Sequence, residues 1–186
     1  MASSGQGITG NRFCFTSRMR QLWRQRGGSA ALEFALISPM FFGLLFSIME
    51  TGLIFLRSNA IDAGVEEAKR VTMTGQVAGA GVPLDLFKNA FCDKAGWIVN
   101  CTDVKFDVSS SKLWANTISN PVQGGTFNTS GLQFKPGAPC EIVVIRAFYE
   151  VPSLAGYIRN DVSNLSNGNI VLAGTAVFKN EPFGAC

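Results

Sequence analysis

The chain has 186 residues, of which 47% are hydrophobic and 16% are charged, and it contains no histidine. That length allows one domain, or one membrane segment with a small domain. Without histidine the chain lacks the commonest general base and the commonest metal ligand, so the composition argues against an enzyme.

The net charge of +3 conceals an uneven distribution. Residues 1–28 hold five arginines and no acid, whereas residues 29–56 hold two glutamates and no base. From Arg57 onward the eleven basic residues (16 − 5) and the eleven acidic residues (13 − 2) cancel. The basicity belongs to one short flank, and we therefore expect no nucleic-acid partner.

This flank mixes its arginines with aromatic residues over residues 12–26, after a small polar stretch at residues 1–11. The pattern fits an interfacial amphipathic segment on anionic lipid, and it fits a plain basic topogenic flank at least as well.

An apolar run follows from Ala30 to Leu56 and is interrupted by few polar residues. It exceeds the roughly 20 residues that span a hydrocarbon core, and it is too long for the apolar region of an ordinary signal peptide. Pro39 should bend a helix here without forbidding a span. The arginine flank predicts a cytoplasmic N-terminus. Residues 57–186 then face the other side, which in a bacterium is the periplasm.

Two carboxylates, Glu33 and Glu50, lie within the run. A carboxylate costs about 2.5–3.5 kcal/mol at the centre of a bilayer and less near its interface. Glu33 therefore either lies at the headgroups or pairs with a cation that arrives after processing or assembly. Cleavage after Gly28 would create such a cation, the free amine of Ser29. For Glu50, an interfacial position is favoured slightly over a second specific pairing.

The helical spacing of small apolar residues continues beyond the run to about Thr74. We predict one helix from about Ala30 to about Thr74 that ends near Gly75, where glycines and Pro83 break the pattern.

The pattern of apolar residues over residues 76–186 predicts a small α+β domain. Residues 83–94 have helical spacing, and residues 104–108 alternate as a half-buried strand does. Residues 141–151 and 170–179 are strongly apolar strands. We expect the three strands to form an antiparallel sheet that both helices cover. Residues 109–140 read as a long loop, with one short strand near residues 127–134.

Five cysteines are split by the apolar run: Cys14 precedes it, and Cys92, Cys101, Cys140 and Cys186 follow it. An even number on one side suggests two disulfides in an oxidising compartment, although reduced buried cysteines are also common. Of three possible pairings we favour Cys92–Cys101 by proximity and Cys140–Cys186 by elimination. The spacing does not fit a zinc site, and no phosphate-binding loop is present, so no metal or cofactor is predicted.

The stretch Gly28-Ser29-Ala30-Ala31-Leu32-Glu33-Phe34 resembles the G-x-x-x-x-E-F processing site of Flp-type pilins and TadE-like pseudopilins. The resemblance continues over residues 27–73, about a quarter of the chain, through residues 34–39, 49–52 and 63–70. The ending at residues 178–183 is similar to that of alphaproteobacterial members.

This resemblance implies a minor pilin of the tight-adherence (Flp) pilus machine, a branch of type IV pili that serves surface attachment. Its members are inserted in the inner membrane, processed by a dedicated prepilin peptidase and assembled with other pilin or pseudopilin subunits. Gly28 would be the last leader residue, Ser29 the new N-terminus, and Glu33 and Phe34 the motif positions. Major Flp pilins are very short, so the extra domain implies a minor or initiating subunit.

The fold class predicted from these patterns is a membrane-anchored, pilin-like α+β protein with a long N-terminal helix and a small antiparallel sheet. We divide it into a basic cytoplasmic leader, a transmembrane helix, an amphipathic helical stalk and a periplasmic domain (residues 1–28, 29–56, 57–75 and 76–186). The alternative is an uncleaved, signal-anchored periplasmic binding module. An anchored enzyme would need a histidine-free site that the sequence does not show.

Overall fold

A computed structural model describes residues 28–112, 120–153, 156, 164–184 and 186. The predicted leader, apart from Gly28, and Cys14 lie outside these residues. The chain divides into two compact units, Met1–Phe46 and Ser47–Cys186.

Helix α1 runs without interruption from Ser29 to Met73 and contributes to both units. This confirms the predicted single helix to within a residue at each end. Gly75 adopts a left-handed φ of 76°, and its N–H donates a hydrogen bond to the carbonyl of Thr72 (3.0 Å). A left-handed glycine after the last helical turn is a common helix terminator, because glycine has no Cβ to clash.

In the second unit, helix α2 covers Pro83–Ala95 and confirms the helix predicted for residues 83–94. Its first residue is a proline, which fixes a helical φ at a position where no N–H is needed. Phe87, Phe91 and Ala95 recur every four residues and are fully buried. The spacing of these three residues therefore sets the face that α2 buries.

The main sheet has the strand order β1-β4-β5 and is antiparallel throughout. Its strands are β1 (Lys105–Ser111), β4 (Ile142–Val151) and β5 (Ile170–Lys179). The predicted three-stranded sheet is confirmed, with β4 at its centre. Because β4 is paired on both sides and covered on both faces, its near-continuous apolar sequence is physically required.

The loop predicted for residues 109–140 is wrong at its beginning. Strand β1 continues through three serines to Ser111, which pairs with Ile142 at the start of β4. The long apolar partner strand imposes this pairing on residues whose own preference is for turns.

A short hairpin also falls within the predicted loop. Its strands are β2 (Val122–Gln123) and β3 (Thr126–Phe127), joined by two glycines with positive φ, as tight hairpin turns require. The strand expected near residues 127–134 is wrong beyond Phe127, because the described chain there has one isolated bridge between Phe134 and Val108.

The main core lies between the sheet and the two helices. On α1 it buries small and medium apolar residues: Ala60, Ile61, Val65, Ala68 and Val71. Two glycines permit the close approach. A Cβ at Gly64 would lie 2.7 Å from the Phe91 ring of α2, and one at Gly174 of β5 would lie 2.8 Å from Ile61. Glycine at these positions therefore lets α1 pack against both α2 and the sheet.

The opposite face of the sheet has a smaller apolar cluster. Phe148, Leu165 and Val171 are buried there, with Phe127 of the hairpin packed against Phe148 at a ring distance of 5.9 Å. The hairpin therefore covers the part of this sheet face around Phe148.

We predict that Gly64→Ala destabilises the folded chain although alanine is the better helix former. The gain of about 1 kcal/mol in helix propensity is outweighed by crowding of Phe91, because overpacking a core costs about 1–3 kcal/mol. The matched control is Gly52→Ala on the same helix, where an added Cβ meets no atom within 4 Å. Thermal unfolding of the full chain in detergent should show a lower Tm for Gly64→Ala only. Equal Tm values for the two variants would contradict this account of the packing.

Candidate functional site

The predicted processing site lies at the N-terminal end of α1. Gly28 immediately precedes the helix, which begins at Ser29. Gly28 is exposed, and a Cβ added to it would meet no atom within 4 Å. The residue before the predicted scissile bond is therefore open to a partner protein.

Glu33 follows one turn later, with Phe34 beside it, and both side chains are exposed. Among the described residues no lysine or arginine forms an ion pair with Glu33. Within the described chain, then, no cation neutralises this carboxylate.

The helix around Glu33 carries large apolar side chains on all sides, and in its most apolar 18-residue window none of the helix is buried. Water-exposed apolar surface of this extent marks a contact with lipid or with other helices. Among the described residues, α1 is long and apolar enough to cross a membrane. Its exposed large side chains are Leu32, Phe34, Leu36, Ile37, Met40, Phe41, Phe42, Leu44, Leu45, Phe46, Ile48, Met49, Leu53, Phe55 and Leu56.

Glu50 belongs to the second unit, and its surroundings differ from those of Glu33. Its side chain is half-buried and takes part in an interaction. The neighbouring Thr51 hydroxyl donates to the Ser47 carbonyl one turn back (2.9 Å), which satisfies a polar group within the apolar run.

Beyond the apolar run α1 has a charged outer surface. Lys69 pairs with Glu66 (2.8 Å) and Arg70 with Glu67 (2.5 Å), both one turn apart. The hydrogen bond from Arg70 lowers the pKa of Glu67. Burial, and secondarily the nearby Glu66, raises the pKa of Asp62 on the same helix. This part of α1 is therefore amphipathic, with one face in the core and one face charged.

The four later cysteines form two pairs at disulfide distance. Cys92 at the end of α2 is bonded to Cys101, with their Cα atoms 6.0 Å apart, and Cys140 is bonded to Cys186, with 5.8 Å between Cα atoms. Both separations lie in the usual range for disulfides. These are the pairings favoured from proximity and elimination.

The C-terminal segment contacts the end of α1. The N–H of Glu181 donates to the carbonyl of Met73 (3.0 Å), and the Phe183 ring lies against Gly75. The buried Asn180 amide donates to the carbonyls of Pro136 and Ala138 (both 3.0 Å). This segment therefore joins the helix end to the turn that carries Cys140.

Sequence reasoning missed a buried ion pair on the sheet. Arg146 of β4 donates through Nε to Asp107 of β1 (3.1 Å) and also through Nη2, while the other Asp107 oxygen accepts the N–H of Gln133 (3.0 Å). An arginine in an otherwise apolar strand is the signal that could have found it, because a buried charge needs a partner. The partner carboxylate was hidden in the alternating pattern of β1.

The described residues offer no cluster of three or more acidic or cysteine ligands that could hold a metal ion. A shallow groove between α2 and β1 is lined by apolar side chains, by four neutral polar residues and by Lys88 and Lys105. Its lining includes no carboxylate.

Residues 28–70 match the model of the TadE-like protein family. The match begins at the predicted processing site and ends near the C-terminal end of α1. No curated protein matches the chain, and no solved structure matches it.

We predict that Glu141 makes part of the stability of the Cys140 turn depend on pH. Its carboxylate accepts the N–H of Ala138 (3.0 Å), and this bond, with one from Ser110, lowers its pKa below the ordinary value of 4.5. The stabilisation is present above about pH 4.5 and is lost as the pH falls through the lowered pKa.

Unfolding measurements between neutral pH and pH 3 should therefore show a smaller acid-induced loss of stability in Glu141→Gln than in the original chain. Glu181→Gln is the control, because this exposed carboxylate makes no side-chain hydrogen bond within the described residues. Parallel pH curves for Glu141→Gln and the original chain would refute the prediction.

Proposed function

We propose, from the TadE-like identity of residues 28–70, that this chain is a minor pilin or pseudopilin of the Tad pilus system. In this role it assists assembly of a tight-adherence pilus for surface attachment. The observation that carries the proposal is the apolar half of α1, whose large side chains from Leu32 to Leu56 are exposed. Near its start lies the Glu33 carboxylate, which forms no ion pair within the described chain.

The proposed mechanism is packing rather than chemistry. Before assembly the apolar half of α1 lies in the bilayer, where the Glu33 carboxylate near its start raises the free energy of the inserted helix. Cleavage after Gly28 by a prepilin peptidase then creates a free amine on Ser29. In a bundle of processed helices the amine of one subunit neutralises Glu33 of its neighbour. Pairing lowers the cost of the buried carboxylate, so it favours the assembled bundle over the isolated helix.

We propose the inner membrane as the location, with the N-terminus in the cytoplasm and the domain in the periplasm. The five arginines before α1 support this orientation. The two cysteine pairs support it independently, because both lie beyond the apolar run and disulfides persist in an oxidising compartment. The domain is thus available outside the membrane to prime or cap a fibre.

A second candidate is an uncleaved, signal-anchored binding module. The groove beside α2 favours it, because a lining that combines apolar side chains with two lysines and no carboxylate suits an anionic ligand that also has apolar surface. This candidate requires that residues 1–28 stay attached.

We predict that the mature protein begins at Ser29. Intact-mass measurement and N-terminal sequencing of chain purified from membranes should find residues 1–28 removed. Gly28→Leu should block the cleavage because it places a bulky side chain beside the scissile bond. Gly27→Leu, one residue farther away, is the matched control and should be processed. Retention of the leader in the original chain would favour the binding module.

We predict that Glu33→Gln impairs pilus assembly several-fold while leaving membrane insertion intact. Glutamine keeps the size of the side chain but cannot form an ion pair with an amine. Counting of surface pili reports assembly, and membrane fractionation reports insertion. Glu50→Gln is the control, because Glu50 lies 17 residues farther along α1 than Glu33 and is therefore far from the amine of Ser29. An unchanged number of pili in Glu33→Gln would show that the pairing role is wrong.

A further inference from the structure

Arg57 is the first basic residue of α1, and it lies on the face of the helix that packs against the sheet and α2. Ile54 and Ile61, about one turn to either side of it, both pack in the main core. Residues three and four positions apart share a helix face, so Arg57 occupies a position that its neighbours use for apolar packing. Its side chain is accordingly half-buried.

The guanidinium group of Arg57 has no acceptor within the described chain. Its Nε is enclosed and forms no hydrogen bond. The two terminal nitrogens also lack a hydrogen-bond partner among the described residues, but they are not enclosed. No described carboxylate forms an ion pair with Arg57, whereas Lys69 and Arg70 farther along the helix are both paired. Because a partly buried charge is costly without a partner, the open side of this guanidinium suits an anion from outside the chain.

Arg57 also marks the point where the surroundings of α1 change. Phe55 and Leu56, directly before it, expose large apolar side chains, with 68% and 39% of their surface accessible. Between Arg57 and Met73, the described helix exposes no large apolar side chain, and its outer surface is charged. If the exposed apolar side chains lie in the hydrocarbon core, Arg57 is the residue that enters the headgroup layer.

We propose that Arg57 binds the phosphate group of a phospholipid in the leaflet next to the domain. This inference rests on the membrane location proposed above. Arginine is suited to this ligand, because its planar guanidinium can donate parallel hydrogen bonds to phosphate oxygens. The bound headgroup would fix the depth at which α1 leaves the bilayer, and with it the distance of the domain from the membrane surface.

A phospholipid suits this position better than a free phosphate ion does. Both offer the same oxygens, but the acyl chains of a lipid lie against the apolar part of α1 and hold the phosphate beside Arg57 at a high effective concentration. A carboxylate of another subunit would first have to be brought to the same depth, whereas lipid phosphate is already there.

Thermal unfolding of the full chain in a nonionic, phosphate-free detergent tests the site. Phosphatidylglycerol should raise the Tm of the original chain by about 4 °C, because a ligand of the folded state stabilises it. Diacylglycerol with the same acyl chains lacks the phosphate and should give less than half of this rise. Arg57→Gln should reduce the effect of phosphatidylglycerol to that of diacylglycerol. Arg70→Gln, which removes an arginine already paired with Glu67, is the matched control and should respond as the original chain does.

Three results would overturn the proposal. A full rise in Arg57→Gln would exclude Arg57 as the binding residue. A full rise with inorganic phosphate alone would assign the site to a free ion. Loss of a self-associated species in Arg57→Gln, measured by light scattering in the lipid-free detergent, would assign Arg57 to a carboxylate of a neighbouring subunit.

Arg57→Lys carries the test if Arg57→Gln does not fold. Lysine keeps the charge but lacks the planar fork, so the phosphate-dependent part of the rise should fall to about half. An undiminished rise in Arg57→Lys would again contradict the proposal. These measurements do not depend on leader cleavage or on pilus number, so their failure is distinguishable from failure of the proposed function.

Discussion

One continuous helix has to satisfy two surroundings, and the rest of the structure depends on this constraint. From Leu32 to Leu56 the helix exposes large apolar side chains, which requires lipid or other helices around it. From Ala60 to Val71 it buries small residues against a sheet and a second helix. The change of residue size along the helix fits these demands. The large side chains suit contacts with lipid or with other helices, whereas Gly64 and its neighbours permit close packing of backbones.

The elements that could be predicted from sequence are those whose residues carry their own periodicity. The spacing of Phe87, Phe91 and Ala95 is enough to predict the buried face of α2. The apolar run at residues 170–179 predicts β5 with the bounds that the structure shows. The serines of β1 could not be predicted as strand, because their pairing is imposed by β4. The Asp107–Arg146 pair could not be predicted for the same reason. Each charged residue is paired with one that lies 39 positions away in the sequence.

The candidate site also has a part that could be predicted from the sequence and a part that could not. Glu33 was recognisable because a carboxylate in an apolar run conflicts with its surroundings, and such conflicts mark function more often than packing does. The contact between Glu181 and Met73 was not recognisable, because it depends on how the C-terminal segment folds back onto the end of α1. The family match ends at residue 70, before the sheet begins. What the domain does must therefore be argued from its own surface.

The two disulfides stabilise the domain to different extents and at different places. Cys92 and Cys101 close a short loop, with a sequence separation of 9, whereas Cys140 and Cys186 close one of 46. In the chain-entropy account these closures are worth about 2.6 and about 4 kcal/mol. The larger contribution ties the segment that contacts Met73 to the turn before β4. The end of α1 is therefore held most firmly once Cys140 and Cys186 are oxidised.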